Sequence, residues 1–188
     1  REGGFLAGGE IHGEKGGYPI AIALSSDALK LAVSMLDINK GSVKSTIAFY
    51  NYGSVGQNEI DNIVGANTFD DLVIPELAFV SGDRMLALGD SKLILFEGTQ
   101  KPQIAAEIPL EKQAKSIFYN DNYVGIVNNN DGDEVTHHLL VYNMEGELRM
   151  EQDLELEYSR IDFLSNNEIL IRNDTVCELY TMRGIRKF

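Results

Sequence analysis

The chain has 188 residues, 44% of them hydrophobic, which is enough to bury a sizeable core and short enough for one domain. Its 29 acidic residues against 16 basic ones give a formal charge of -13, which opposes the phosphate neutralisation that nucleic-acid binding needs and argues against that class of partner. A single cysteine, Cys177, rules out an internal disulfide, and no stretch reaches the roughly 18 apolar residues of a membrane-spanning helix.

Eighteen glycines against four prolines, with no low-complexity tract, mark turns rather than a flexible linker. In chain order, Phe5-Leu6 before Gly8-Gly9 reads as the last strand of a preceding unit. Ile20, Ile22 and Leu24 then alternate with Ala21 and Ala23, the turn Ser25-Ser26-Asp27-Ala28 follows, and Leu29, Leu31 and Val33 continue the period of two. Asn58 to Val64 places Ile60, Ile63 and Val64 at helical spacing before Gly65, so a short helix is predicted there.

The first hairpin recurs. Leu77 to Phe79, Ser81-Gly82-Asp83 and Met85 to Leu88 form the second copy, and Ile117-Phe118, Asn120-Asp121-Asn122 and Val124 to Val127 the third. Ile161 to Leu164, Ser165-Asn166-Asn167 and Ile169 to Ile171 form the fourth. Leu24, Phe79, Phe118 and Phe163 anchor the first strands, spaced 55, 39 and 45 residues apart. Tyr50, Phe96, Tyr142 and Tyr180 end the third strands at spacings of 46, 46 and 38, and a glycine soon follows each. The closest self-match sets Tyr142-Asn143-Met144-Glu145-Gly146 beside Tyr180-Thr181-Met182-Arg183-Gly184.

A small antiparallel sheet of this kind cannot bury both faces alone, and radial stacking of such sheets is the β-propeller solution. A β-sandwich or an open β-solenoid would account for the short strands but not for the repeated turn, hairpin and aromatic corner. The expected fold is therefore all-β, with about four propeller blades of three to four antiparallel strands, taken from a larger seven- or eight-bladed ring. The expected units are 18-72, 73-113, 114-157 and 158-188 within one domain, 1-188, with 1-17 as the tail of a preceding blade. The fourth unit stops at Gly184-Ile185-Arg186-Lys187-Phe188, short of the fourth strand that unit three continues through Leu148 and Leu154.

The run Tyr18 to Val33 resembles the L-S-P-D-G-x-K-L-A hairpin of bacterial seven-bladed, WD40-like propellers, with Ser26 in place of the proline and Ala28 in place of the glycine. Together with Ile47 to Ile60, it is similar to an uncharacterised bacterial family of WD40-like or YVTN-like propeller proteins, usually anchored to the membrane by an N-terminal helix. The resemblance implies an extracytoplasmic, cell-surface or membrane-anchored location, with the anchor upstream of this segment. It carries over no catalytic residues.

The richest set of oxygen ligands is Asn128 to Glu134, where Asp131, Asp133 and Glu134 form the one candidate cation site. Aligning Gly132 with the invariant EF-hand glycine puts Val127 and His138 at the terminal ligand positions, so that motif fails, and a solvated hairpin tip is the simpler reading. His137 and His138 are neighbours on a strand and project to opposite faces, which prevents joint metal binding. His12, with Glu10 and Glu14, lacks a second histidine or a cysteine nearby.

Gly13-Glu14-Lys15-Gly16-Gly17 lacks the Ser or Thr and the helix of a phosphate loop. Asp70 and Asp71 read as solvated loop acids rather than a glycosidase pair. Cys177 reads as a buried, inert thiol. No catalytic or cofactor-binding residue and no cofactor is assigned. The expected function is a non-enzymatic propeller scaffold binding a protein or carbohydrate outside a bacterial cytoplasm. The alternatives are a carbohydrate-active or lactone-hydrolysing propeller enzyme and an intracellular, cytoplasmic WD40-like scaffold.

Overall fold

The computed structural model describes residues 17-51, 63-98, 101-129, 137-165 and 167-188. All of its regular structure is β, with no helix among the described residues. Among the described residues, fifteen strands form four antiparallel sheets, each laid down in chain order. Sheet 1 contains β1 (Tyr18–Leu24), β2 (Lys30–Asn39), β3 (Ser42–Asn51) and β4 (Ile63–Asp70), and sheet 2 contains β5 (Glu76–Phe79), β6 (Arg84–Leu88), β7 (Lys92–Glu97) and β8 (Gln103–Pro109). Sheet 3 contains β9 (Ser116–Tyr119), β10 (Tyr123–Asn129), β11 (His137–Asn143) and β12 (Leu148–Leu154). Sheet 4 contains β13 (Arg160–Phe163), β14 (Glu168–Arg172) and β15 (Cys177–Thr181). The chain divides between Pro109 and Leu110 into two compact units, sheets 1 and 2 in the first and sheets 3 and 4 in the second.

Turn chemistry explains the meander. Lys40 and Gly41, with φ of 49° and 84°, make the two-residue turn that lets Asn39 pair with Ser42 across the β2–β3 hairpin. Gly146 and Gly184, at φ of 82° and 74°, close matching turns: each donates its amide to the carbonyl three residues back, Asn143 and Thr181 respectively. The self-match seen in sequence is thus one turn geometry used twice. Beyond Gly184 the chain runs back beside β15, where the Thr181 amide donates to the Ile185 carbonyl and the Lys187 amide to that of Leu179.

Within the first unit, sheets 1 and 2 enclose a core of Ala23, Ala32, Ile47, Phe49, Leu72, Ile74, Met85, Ile94 and Phe96, with Phe49 and Phe96 edge to face at 5.3 Å. Lys30 on β2 adds a polar tie by donating its ammonium to the Gly82 carbonyl in the β5–β6 turn. Within the second unit, Val127, Leu139, Val141, Met150, Ile161, Ile169, Ile171 and Tyr180 form the core between sheets 3 and 4. Burying each such side chain contributes about 1.5–3 kcal/mol, so the sheet-to-sheet contact rather than strand propensity stabilises each unit.

Three expectations change. Ile63 and Val64 open β4 rather than ending a helix, because the bulge that sets Gly65 against Phe49 and Ile63 against Tyr50 recruits them to the ladder; residues 58-62 lie outside the described residues. Leu24 is not a core anchor but 55% exposed, since it stands on the face of sheet 1 turned away from sheet 2, while Ala23 takes the core side. Cys177 is exposed, not buried: it opens β15 opposite Arg172, on the sheet-4 face turned away from the core.

Candidate functional site

The cation-site candidates Asp131, Asp133 and Glu134 lie outside the described residues, as do His12, Glu10 and Glu14. Among the described residues no cluster of three histidine, cysteine or acidic side chains is arranged to hold a metal. Asp70 pairs with Lys44 at 3.3 Å, and Asp71 occupies a left-handed turn with φ 53°, so the two acids do not converge.

The two histidines mark off two environments on opposite faces of β11. His138, partly exposed, is gripped by two carboxylates, its Nδ1 2.7 Å from Asp153 and its Nε2 3.0 Å from Glu151, both on β12. The two carboxylates bind different ring nitrogens and so offer no common point for an ion. They hold the imidazole above its ordinary pKa, the Asp153 hydrogen bond foremost, against an opposing effect of burial.

His137, only 1% exposed, faces the core side, where a polar cluster forms at one end of sheets 3 and 4. Asn129 ends β10 and His137 opens β11, which brings Asn129 Oδ1 to 3.1 Å from His137 Nδ1. Lys115, fixed just before β9 by its backbone amide, which donates to the Val127 carbonyl, places Nζ 3.4 Å from His137 Nε2. An ammonium can only donate, so the ring accepts at Nε2 and carries its proton on Nδ1, donated to Asn129. Burial, and then the Lys115 charge, push this imidazole below its ordinary pKa, with Glu157 opposing. The neutral form that the hydrogen bonds require is the form the electrostatics favour.

Tyr158, in the link from β12 to β13, completes the cluster. Its ring meets the His137 ring edge to face at 5.1 Å, lies 5.4 Å from the Lys115 ammonium, and its hydroxyl is 2.6 Å from Ser116 Oγ. Lys115, Ser116 and Tyr158 are the residues that sequence reasoning missed. Ser116 and Tyr158 are 42 positions apart, and the only cue is topological: each residue of the cluster sits at a strand end or inter-sheet link on the same side of the repeat.

Several solved structures share the fold. Sqt1 from Chaetomium thermophilum matches with a TM-score of 0.56 at 10% identity, over 89% of this chain and 44% of that one. The β-propeller domain of the trilobed protease from Pyrococcus furiosus matches with a TM-score of 0.53 at 13% identity, over 92% and 57%. The acylaminoacyl peptidase of Pyrococcus horikoshii matches with a TM-score of 0.53 at 12% identity, over 92% and 32%. The chain therefore spans less than two thirds of the length of each, and the likeness establishes the β-propeller type of fold. No curated protein matches the sequence. Over residues 1-188 the chain belongs to a family of unknown function, DUF5711.

Proposed function

We propose that the protein is a non-enzymatic propeller binding module acting outside the cytoplasm of a bacterium. The observation that carries this reading is the state of His137. A general base needs an unoccupied ring nitrogen within reach of a substrate proton, whereas both nitrogens of His137 are engaged, by Lys115 and by Asn129. The ring props neighbouring donors in place, as a recognition surface requires. The extracytoplasmic placement is supported by the resemblance of the fuller run, Tyr18–Val33 together with Ile47–Ile60, to a family of membrane-anchored propeller proteins.

The experiment is a panel of ester, lactone, peptide and glycoside substrates offered to the whole protein and to Ser116→Ala. No turnover above the blank is expected from either. Turnover by the wild type that disappears in Ser116→Ala would overturn the reading in favour of an enzyme. Protease added to intact cells of the native bacterium tests the location: digestion of the protein is expected, and survival until the cells are lysed contradicts it.

A further inference from the structure

The donors around His137 are arranged with a particular charge and proton count. One N–H of the Lys115 ammonium is turned onto His137 Nε2, and the ammonium carries two more. Ser116 and Tyr158 share a single hydrogen bond at 2.6 Å. Two hydroxyls bring two protons, and one of them lies in that bond, so the pair has one O–H to offer an external acceptor. Lys115 and Ser116 are consecutive and both contact Tyr158, the ammonium 5.4 Å from the ring centroid and the serine at the phenol hydroxyl.

One positive charge and one O–H, both held at the Tyr158 ring, match a group with one negative charge spread over two acceptor oxygens. The Glu157 carboxylate, close enough to act on the His137 ring, and the net charge of -13 repel any anion, and a dianion about twice as strongly as a monoanion. A cation would meet the Lys115 ammonium. We propose that Lys115, Ser116 and Tyr158 form a binding site for a monocarboxylate, in which Lys115 supplies charge, the hydroxyl pair supplies the second donor, and His137 acts as a positioning residue for the ammonium. The inference rests on the binding-module reading and gives it a ligand class.

The test is a titration of the whole protein, at constant pH and ionic strength, followed by the ring signals of its histidines in NMR spectra. N-acetylglycinate and D-glucuronate serve as the two carboxylate probes, one resembling a peptide terminus and the other an acidic sugar, and inorganic sulfate serves as the dianion. A saturable shift at His137 with either carboxylate, without a matching shift at His138, is expected. Lys115→Met should weaken it by roughly tenfold or more, and Tyr158→Phe by a smaller factor.

Absence of saturation with both carboxylates overturns the proposal, as does an equal or tighter response to sulfate or a parallel drift of His137 and His138. The wild-type titration decides the question even if a variant fails to fold. Catalytic turnover in the substrate panel alongside intact carboxylate binding sinks the binding-module reading alone. A silent titration with a silent panel sinks this inference alone.

Discussion

The ring of Phe118 lies directly over the backbone of Gly125, its cross-strand partner, so closely that a methyl group on Gly125 would stand 2.1 Å from Phe118 Cζ. The ring is held there by Phe163, at 4.8 Å between centroids, and Phe163 is in turn 5.8 Å from Tyr123. Gly125→Ala must therefore displace a packed aromatic, and a loss of about 1–3 kcal/mol is expected from such overpacking. A fall in the urea midpoint with unchanged slope checks it, and Phe118→Leu in the same background should recover part of the loss. An unaltered midpoint would contradict the packing described.

The adjacent histidines should titrate in opposite directions from the ordinary value of about 6.5. His138 is raised, so its contribution to stability is complete below the unfolded-state value and is lost as the pH climbs through the folded one. His137 is lowered, so its contribution is complete above the unfolded-state value and is lost as the pH falls toward the folded one. Because Glu151 and Asp153 are largely solvent-exposed, the His138 effect is small, about 0.5 kcal/mol after screening. Ring-proton titration by NMR should give a midpoint for His138 above that for His137; the reverse order would refute the assignment.

Ala28 adopts φ 58°, a left-handed conformation that a side chain disfavours, within a turn tied by Ser25, Asp27 and Lys30. Asn167 takes the matching place in the fourth hairpin at φ 60°, where a residue of its type is better tolerated. Ala28→Gly should raise stability by about 0.5–1 kcal/mol. Asn167→Gly should do less. Comparing the two urea midpoints measures the difference.

Two buried serines offer a contrast. Ser45 Oγ donates to the Leu72 carbonyl at 2.6 Å, tying β3 to the segment that leads into sheet 2. The Ser34 hydroxyl, equally buried, finds no hydrogen-bond partner among the described residues. Ser45→Ala is expected to cost about 1–3 kcal/mol because it orphans a buried carbonyl. Ser34→Ala should be neutral or stabilising. Thermal unfolding of the pair decides it, and equal losses would count against both assignments.

Local signals made the fold legible. Glycines four residues beyond Tyr142 and Tyr180, and Ser-x-Asp or Asn-rich turns between short apolar runs, are constrained by backbone conformation within a few residues of chain. What the sequence concealed depends on which sheet lies on which face. Leu24 and Phe79 occupy matching hairpin positions, yet Phe79 packs against the core shared by sheets 1 and 2 while Leu24 is turned away from it. Ile63 and Val64 satisfy a helical spacing and a strand start equally well, and pairing with β3 decides between them. The Lys115 cluster is assembled from three separate connections and leaves no contiguous motif.

Sheets 1 and 2 each zip up from neighbouring hairpins, but the Lys30 bond to Gly82 spans 52 residues and the Phe49–Phe96 contact a similar distance. During synthesis β1 to β4 therefore leave the ribosome before the surface they need has been made. Their ladder can form early, while Ile47 and Phe49 stay wet until β7 arrives. The interval between those two events is when an incomplete first unit is most exposed to chaperones and to aggregation, and translation speed through residues 52 to 96 sets how long it lasts.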